Sequence, residues 1–168
     1  MDTELRAAGE EDLLFLVEAL HKTFLFLSKC AEGPYYEGFS ALSVDAMGTY
    51  ALEYLDTRKA KTLILQRNGE AIGCIMGKIA PSQIGAADIG LVGWIGLCYV
   101  DEAHRGGEQC TLMYRAMEEW FASKSISTIE LSYMAANESA RSARSAWERL
   151  GFEPLRVIAT KSIGKGEA

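Results

Sequence analysis

The chain has 168 residues, 49% of them apolar, which is the size of one ordinary domain with enough apolar side chain to bury a core unaided by disulfides or metal. Its formal charge of −6 excludes the usual non-specific nucleic-acid binder, which gathers Lys and Arg on one face. Four cysteines (Cys30, Cys74, Cys98, Cys110) form no CxxC pair and sit near no pair of histidines, so neither a zinc site nor a disulfide framework is indicated.

Acidic residues Asp2, Glu4, Glu10, Glu11 and Asp12 stand where a signal peptide would be basic. The apolar run over 13–27 is broken by Glu18, His21 and Lys22, short of the roughly 20 apolar residues of a membrane span. The expectation is a soluble cytoplasmic protein with no membrane or nucleic-acid partner and no metal.

A short strand over 4–7 precedes a helix whose stripe is Leu13, Val17, Leu20, Phe24 and Leu27, at steps of three and four. AEGPYYEGFS lacks periodicity and reads as a loop, with Tyr35, Tyr36 and Phe39 able to line a pocket or simply to pack. A second helix follows over 44–57. TLILQ and AIGCIMGKI are strands joined across Asn68-Gly69, a tight-hairpin signal. A third strand after these runs over 88–100 and carries Gly90, Gly93 and Gly96; glycine inside a strand marks a bulge or a close backbone approach.

After the turn DEAHRGG, Leu112, Met113, Ala116, Met117, Trp120 and Phe121 give a helix its apolar face. IELSYM reads as a strand, 137–152 as a helix and PLRVIAT as a last strand. The order β, α, α, β, β, β, α, β, α, β is one mixed α/β (α+β) domain over 1–168, antiparallel in front with a βαβ unit behind.

That unit holds the chemistry. In CYVDEAHRGGEQCTLM a strand ends at Val100, a turn carries Arg105, Gly106 and Gly107, and a helix starts near Glu108. Unpaired N–H groups at a helix start can hold a phosphate, and Arg105 adds positive charge; the plain alternative is a turn whose glycines only allow tight geometry.

The stretch resembles the acetyl-CoA motif of the GNAT (GCN5-related N-acetyltransferase) superfamily, as do the later Asn-x-x-Ala and Leu-Gly-Phe elements and the order of strands and helices. The resemblance implies a mostly antiparallel sheet of about six to seven strands with four helices, and acetyl-CoA between splayed fourth and fifth strands. Cys98, Tyr99 and Val100 would match the strand end that pairs with the pantetheine arm. Arg105, Gly106, Gly107, Glu108, Gln109 and Cys110 would match the pyrophosphate loop, and Asn137 the later asparagine. The implied partners are acetyl-CoA as cosubstrate and an unidentified amine acceptor, and a homodimer is compatible with this reading.

Several positions depart from the family. Glu108 and Cys110 stand where small residues are usual, and a carboxylate about 5 Å from a phosphate charge costs about 3 kcal/mol at an effective dielectric of 20. Gly107, one place early, can return the backbone freedom of the missing glycine. Trp147 stands where the resemblance implies a Tyr that protonates the departing thiolate, and an indole offers only its ring N–H. The resemblance also implies, for many members, a glutamate on the fourth or fifth strand that takes the amine proton directly or through water, and those places hold Trp94 and Ser132. Glu130, His104, Asp88 and His21 are the remaining acid–base groups, each with an ordinary surface or turn reading.

Residues 139–144 read SARSAR, so Asn137 and Trp147 are ten apart, and removing either triplet restores the family spacing. Three residues advance a helix by about 4.5 Å and about 300°. Either the stripe Ala140, Ala143, Trp147 and Leu150 anchors the C-terminal side and Asn137 becomes an N-cap, or Asn137 stays near the cofactor and a bulge absorbs the triplet. Arg141 and Arg144 are then solvated or reach an anionic group. The functional readings are an N-acetyltransferase, a non-catalytic acyl-CoA-binding module, or a structural partner-binding domain.

Overall fold

The computed structural model describes residues 3–30, 33–55, 58–84, 89–134 and 138–155. They form two compact units. The first runs up to Thr23 and again from Ser43 to Ser132; the second comprises Phe24–Leu42 and the chain from Tyr133.

The first unit is built on a sheet in the order β1-β2-β3-β4-β5: β1 (Thr3–Ala7), β2 (Ala60–Arg67), β3 (Glu70–Pro81), β4 (Leu91–Val100) and β5 (Ile129–Leu131). Three antiparallel ladders join β1 to β4, and β5 lies parallel to β4. Asn68 and Gly69 make the β2–β3 turn with φ of 52° and 84°, the left-handed pair that a two-residue hairpin requires. The parallel β4–β5 pair needs a crossover, supplied by α4 (Gln109–Ser123).

The α4 face of the sheet is built from small against large. Met113, Met117 and Phe121 are fully buried, and a Cβ on Gly77 would sit 2.5 Å from Met117 Sδ, one on Gly93 2.7 Å from the Phe121 ring. The glycines of β3 and β4 therefore mark close helix approach. Leu112 is 43% exposed and Tyr114 buried, so the apolar stripe of α4 is rotated from the one expected: Tyr114 turns inward with its hydroxyl on Glu118, 2.9 Å away.

The β3–β4 register skips one residue: Ile95 faces Gly77 and Leu97 faces Met76, leaving Gly96 as the extra residue of a bulge. Gly93 and Ile95 lie on the α4 side, and beyond the bulge Cys98 lies there too, its Sγ 3.4 Å from Cys110 Sγ. Trp94, Gly96, Leu97 and Tyr99 fall on the other side, where Tyr99 meets Phe15 edge-on with ring centroids 6.5 Å apart. A regular strand would have put Cys98 on the side of Trp94.

On that side stand α1 (Leu13–Ser28), which buries Leu16, Ala19 and Leu20, and α3 (Val44–Glu53), which buries Met47 and Ala51. The α1 stripe is rotated toward Leu16 and Ala19, with Leu13 and Val17 half-buried. Ahead of α1, Asp12 is 6% exposed and receives both nitrogens of Arg6 at 2.7 Å and the Gly9 N–H at 2.9 Å. Arg6 thereby holds the Asp12 carboxyl below its usual value against the opposing effect of burial.

The second unit contains the end of α1, α2 (Pro34–Ser40) and α5 (Glu138–Arg149). Phe24 and Phe39 stack with centroids 5.9 Å apart. The α5 helix ends in a Schellman arrangement: Phe152 N–H donates to the Trp147 carbonyl at 3.1 Å, Gly151 N–H to Glu148 at 3.0 Å, and Gly151 takes φ 91°. Trp147, 8% exposed, meets Phe152 edge-on at 5.5 Å, so Leu-Gly-Phe is a helix stop whose aromatic clasp is Trp147.

Several expectations are corrected. The stretch read as a loop before α3 contains α2, which starts on Pro34, suited to a first helical turn. The α3 helix stops at Glu53, where the Tyr54 N–H caps it on the Ala51 and Leu52 carbonyls. The β4 strand starts at Leu91, after Gly90 turns the chain with φ 75°. The β5 strand has three residues rather than running to Met134. The mixed α/β architecture itself is as expected; among the described residues it has five strands and five α-helices, beside the six to seven and four that the resemblance implies. Of the expected last strand, Pro154 and Leu155 are not in a strand and 156–160 lie outside the described residues.

Candidate functional site

The β4 edge is asymmetric. β5 pairs only with Gly93, Trp94 and Ile95, whereas β3 continues beside β4 to Val100. From Gly96 to Val100 the strand is laddered on one side only among the described residues, and the change coincides with the bulge.

Where β4 ends, Asp101 accepts from the Ala103 N–H at 3.2 Å and from Lys22 Nζ at 3.5 Å; the backbone bond first and the lysine after it hold Asp101 below its usual value. Lys22 also pairs with Glu18 at 2.8 Å. Tyr99, raised by burial, directs its hydroxyl at Asp101, 3.4 Å away. Arg105 folds back so that Nε donates to the Val100 carbonyl at 2.9 Å. Gly106 holds φ 92° with open space around it, whereas Gly107 is not in the left-handed region; the freedom expected of Gly107 is used at Gly106.

Glu108 is the exposed N-cap of α4, and its side chain caps nothing. The helix begins to bond itself when Leu112 N–H reaches the Glu108 carbonyl at 2.8 Å. The N–H groups ahead of that bond lie at the helix start, the place on a helix that suits an anion. Gln109 and Cys110 are half-buried, and Arg105, Gly106, Gly107 and Glu108 are exposed. The Cys98 thiol is held well above its usual value, first by the hydrogen bond it shares with Cys110 and then by its partial burial.

The fold thus gathers Cys98, Tyr99, Val100 and the whole of 105–110 at one end of β4, while Asn137 lies outside the described residues. The α5 helix is continuous over 138–149, so no bulge interrupts it within that span. Arg144 Nε pairs with Glu148 at 2.7 Å, and Ala143 is exposed rather than part of an inward stripe; the Ala140 and Arg141 side chains lie outside the described residues.

Of the acid–base alternatives, Glu130 and His104 are engaged elsewhere. Glu130 accepts from Ser82 Oγ at 2.5 Å and from the Gln83 N–H at 2.8 Å, fixing the chain after β3. His104 Nδ1 lies 3.4 Å from Arg67, His21 is exposed, and Asp88 lies outside the described residues. The sequence reading missed Tyr50 and Tyr54, whose hydroxyls are 3.0 Å apart. Their spacing along α3, four residues, was the available signal. Both crowd Gly96: a Cβ there would collide with the Tyr54 hydroxyl and sit 2.6 Å from that of Tyr50.

No group of three or more metal-ligating side chains occurs among the described residues, nor any helix long and apolar enough to cross a membrane. At the level of sequence no curated protein matches the chain. Solved structures do. A GCN5-related N-acetyltransferase from Ralstonia eutropha JMP134 has a TM-score of 0.74 at 17% identity, over 97% of this chain and 100% of that one. The aminoglycoside acetyltransferase AAC(6')-Iy, solved with the bisubstrate analogue CoA-S-monomethyl-acetylneamine, has a TM-score of 0.72 at 18% identity, over 98% and 100%. A predicted acetyltransferase from Clostridium acetobutylicum, solved with acetyl-CoA, has a TM-score of 0.68 at 16% identity, over 96% of both chains. These likenesses establish the fold. The acetyltransferase (GNAT) family model matches residues 25–152, and this chain belongs to that family.

Proposed function

We propose that the protein transfers the acetyl group of acetyl-CoA to a primary amine of a small molecule or protein. The observation that carries the proposal is the juxtaposition of the one-sided β4 edge, from Gly96 to Val100 among the described residues, with the start of α4, where the Glu108 side chain makes no cap.

A pyrophosphate seated at the start of α4, beside Arg105, would start the pantetheine arm at Val100. An extended arm can add to the open edge as a strand would, running back along β4 through Tyr99 and Cys98 between the fourth and fifth strands. The edge from Val100 to Gly96 is about 13 Å long, so the thioester comes to rest near the bulge. There the amine attacks the thioester carbonyl carbon, the C–S bond breaks, and amide and CoA leave. Positioning of the two reactants and polarisation of the carbonyl by fixed backbone donors contribute to the catalysis.

The Trp147 clasp explains why the family's tyrosine position can be given to packing in this chain. Glu108 favours a second reading, an acyl-CoA-binding module without turnover, because a carboxylate at the N-cap opposes bound phosphate. The two readings separate in one experiment: acetyl-CoA raises the melting temperature in both, but only the enzyme releases thiol continuously in the presence of a suitable amine.

A further inference from the structure

The Tyr50 and Tyr54 hydroxyls have a direction that follows from burial. Tyr54 is fully buried, so its O–H must find an acceptor, and Tyr50 Oη at 3.0 Å is its hydrogen-bond partner among the described residues. Among the described residues the Trp94 indole, which only donates, also bonds the Tyr54 oxygen, and Glu53 acts on it through its charge alone. Tyr54 therefore donates to Tyr50. The half-buried Tyr50 hydroxyl, its oxygen already accepting, keeps its own proton to give, and it lies where the Cβ of Gly96 would be, at the point where β5 leaves β4.

We propose that Tyr50 is the proton donor of the transfer: its O–H, ordered by Tyr54, protonates the CoA sulfur as the C–S bond breaks beside Gly96. The inference rests on the acetyl-CoA position argued above. In the step, the amine nitrogen forms the new C–N bond, the C–S electron pair goes to sulfur, and the sulfur takes the Tyr50 proton. The Tyr54 hydrogen bond stabilises the resulting phenolate, which regains a proton from the acylated nitrogen, directly or through water. The sum is amine plus thioester giving amide plus thiol. The charged groups around the pair are Lys78 from β3, whose Nζ is 4.8 Å from the Tyr54 ring centre, and Glu53 from α3, 2.9 Å from that Nζ.

The test compares wild type with Tyr50→Phe and Tyr54→Phe by calorimetry, using CoA and desulfo-CoA from neutral to alkaline pH. A donor aimed at sulfur makes wild type gain affinity for CoA over desulfo-CoA as the thiol ionises, by about tenfold. Tyr50→Phe should lose that gain while still binding desulfo-CoA as wild type does. Tyr54→Phe should lose part of it. With a substrate amine, Tyr50→Phe should lower kcat on the order of a hundredfold with little change in KM for acetyl-CoA. Equal pH dependence in wild type and Tyr50→Phe overturns the inference and leaves acetyl-CoA binding standing. Failure of wild type to bind either CoA form overturns the proposed function as well. A Tyr50→Phe protein that binds neither ligand while wild type binds both assigns Tyr50 to holding the site rather than to proton donation, and also overturns the inference.

Discussion

Cys98 Sγ and Cys110 Sγ lie 3.4 Å apart, tying the last stretch of β4 to the first turn of α4. The contact exists because the Gly96 bulge turns Cys98 to the α4 side. In the proposed site the backbone of this stretch, not its side chains, meets CoA. Cys98→Ala should therefore cost about 1 kcal/mol of stability in denaturant titration and leave the Kd for CoA within about twofold.

Glu108 should oppose the ligand it helps to seat. Its backbone carbonyl begins the α4 ladder, while its exposed carboxylate caps nothing. Glu108→Gln should tighten CoA binding about threefold at low salt, measured by calorimetry, and the gain should shrink as salt is raised. Arg105→Gln should act in the opposite direction.

Gly96 cannot carry a side chain without moving Tyr54. Gly96→Ala should destabilise by about 1–3 kcal/mol in thermal or denaturant unfolding, whereas Gly106→Ala, which meets no neighbour, carries only the backbone cost of a positive φ.

Asp12 makes the acid side of the stability profile. Its folded value is depressed, first by the Arg6 hydrogen bond, so it contributes stability above the unfolded carboxyl value of about 3.9 and loses it as pH falls through the folded value. Asp12→Asn should cost about 1–2 kcal/mol at neutral pH, a figure kept small by the partial exposure of Arg6. The gap between wild type and variant in urea midpoints should close as the pH is taken below about 4.

The hairpin, the β–turn–α unit and the close glycines were legible in the sequence because each rests on local backbone chemistry: Asn68-Gly69 for the turn, Gly93 and Gly96 for a bulge or close approach, Arg105 to Cys110 for the helix start. The rotated stripes were not. Leu112 and Tyr114 lie about 200° apart on α4, on either flank of Met113, and which flank is buried depends on the sheet face opposite. Tyr50 escaped notice for a related reason. Its hydroxyl gains meaning only when the β4 bulge, remote in sequence, is brought against it. Leu-Gly-Phe matched a family element, but its physical role as a Schellman stop clasped by Trp147 required the folded contact.

The central claim is tested most directly by following thiol release from acetyl-CoA with a broad panel of primary amines, with mass spectrometry of the amine product. The account predicts continuous release matched mole for mole by an acetylated amine. Saturable acetyl-CoA binding with no release for any amine would contradict it.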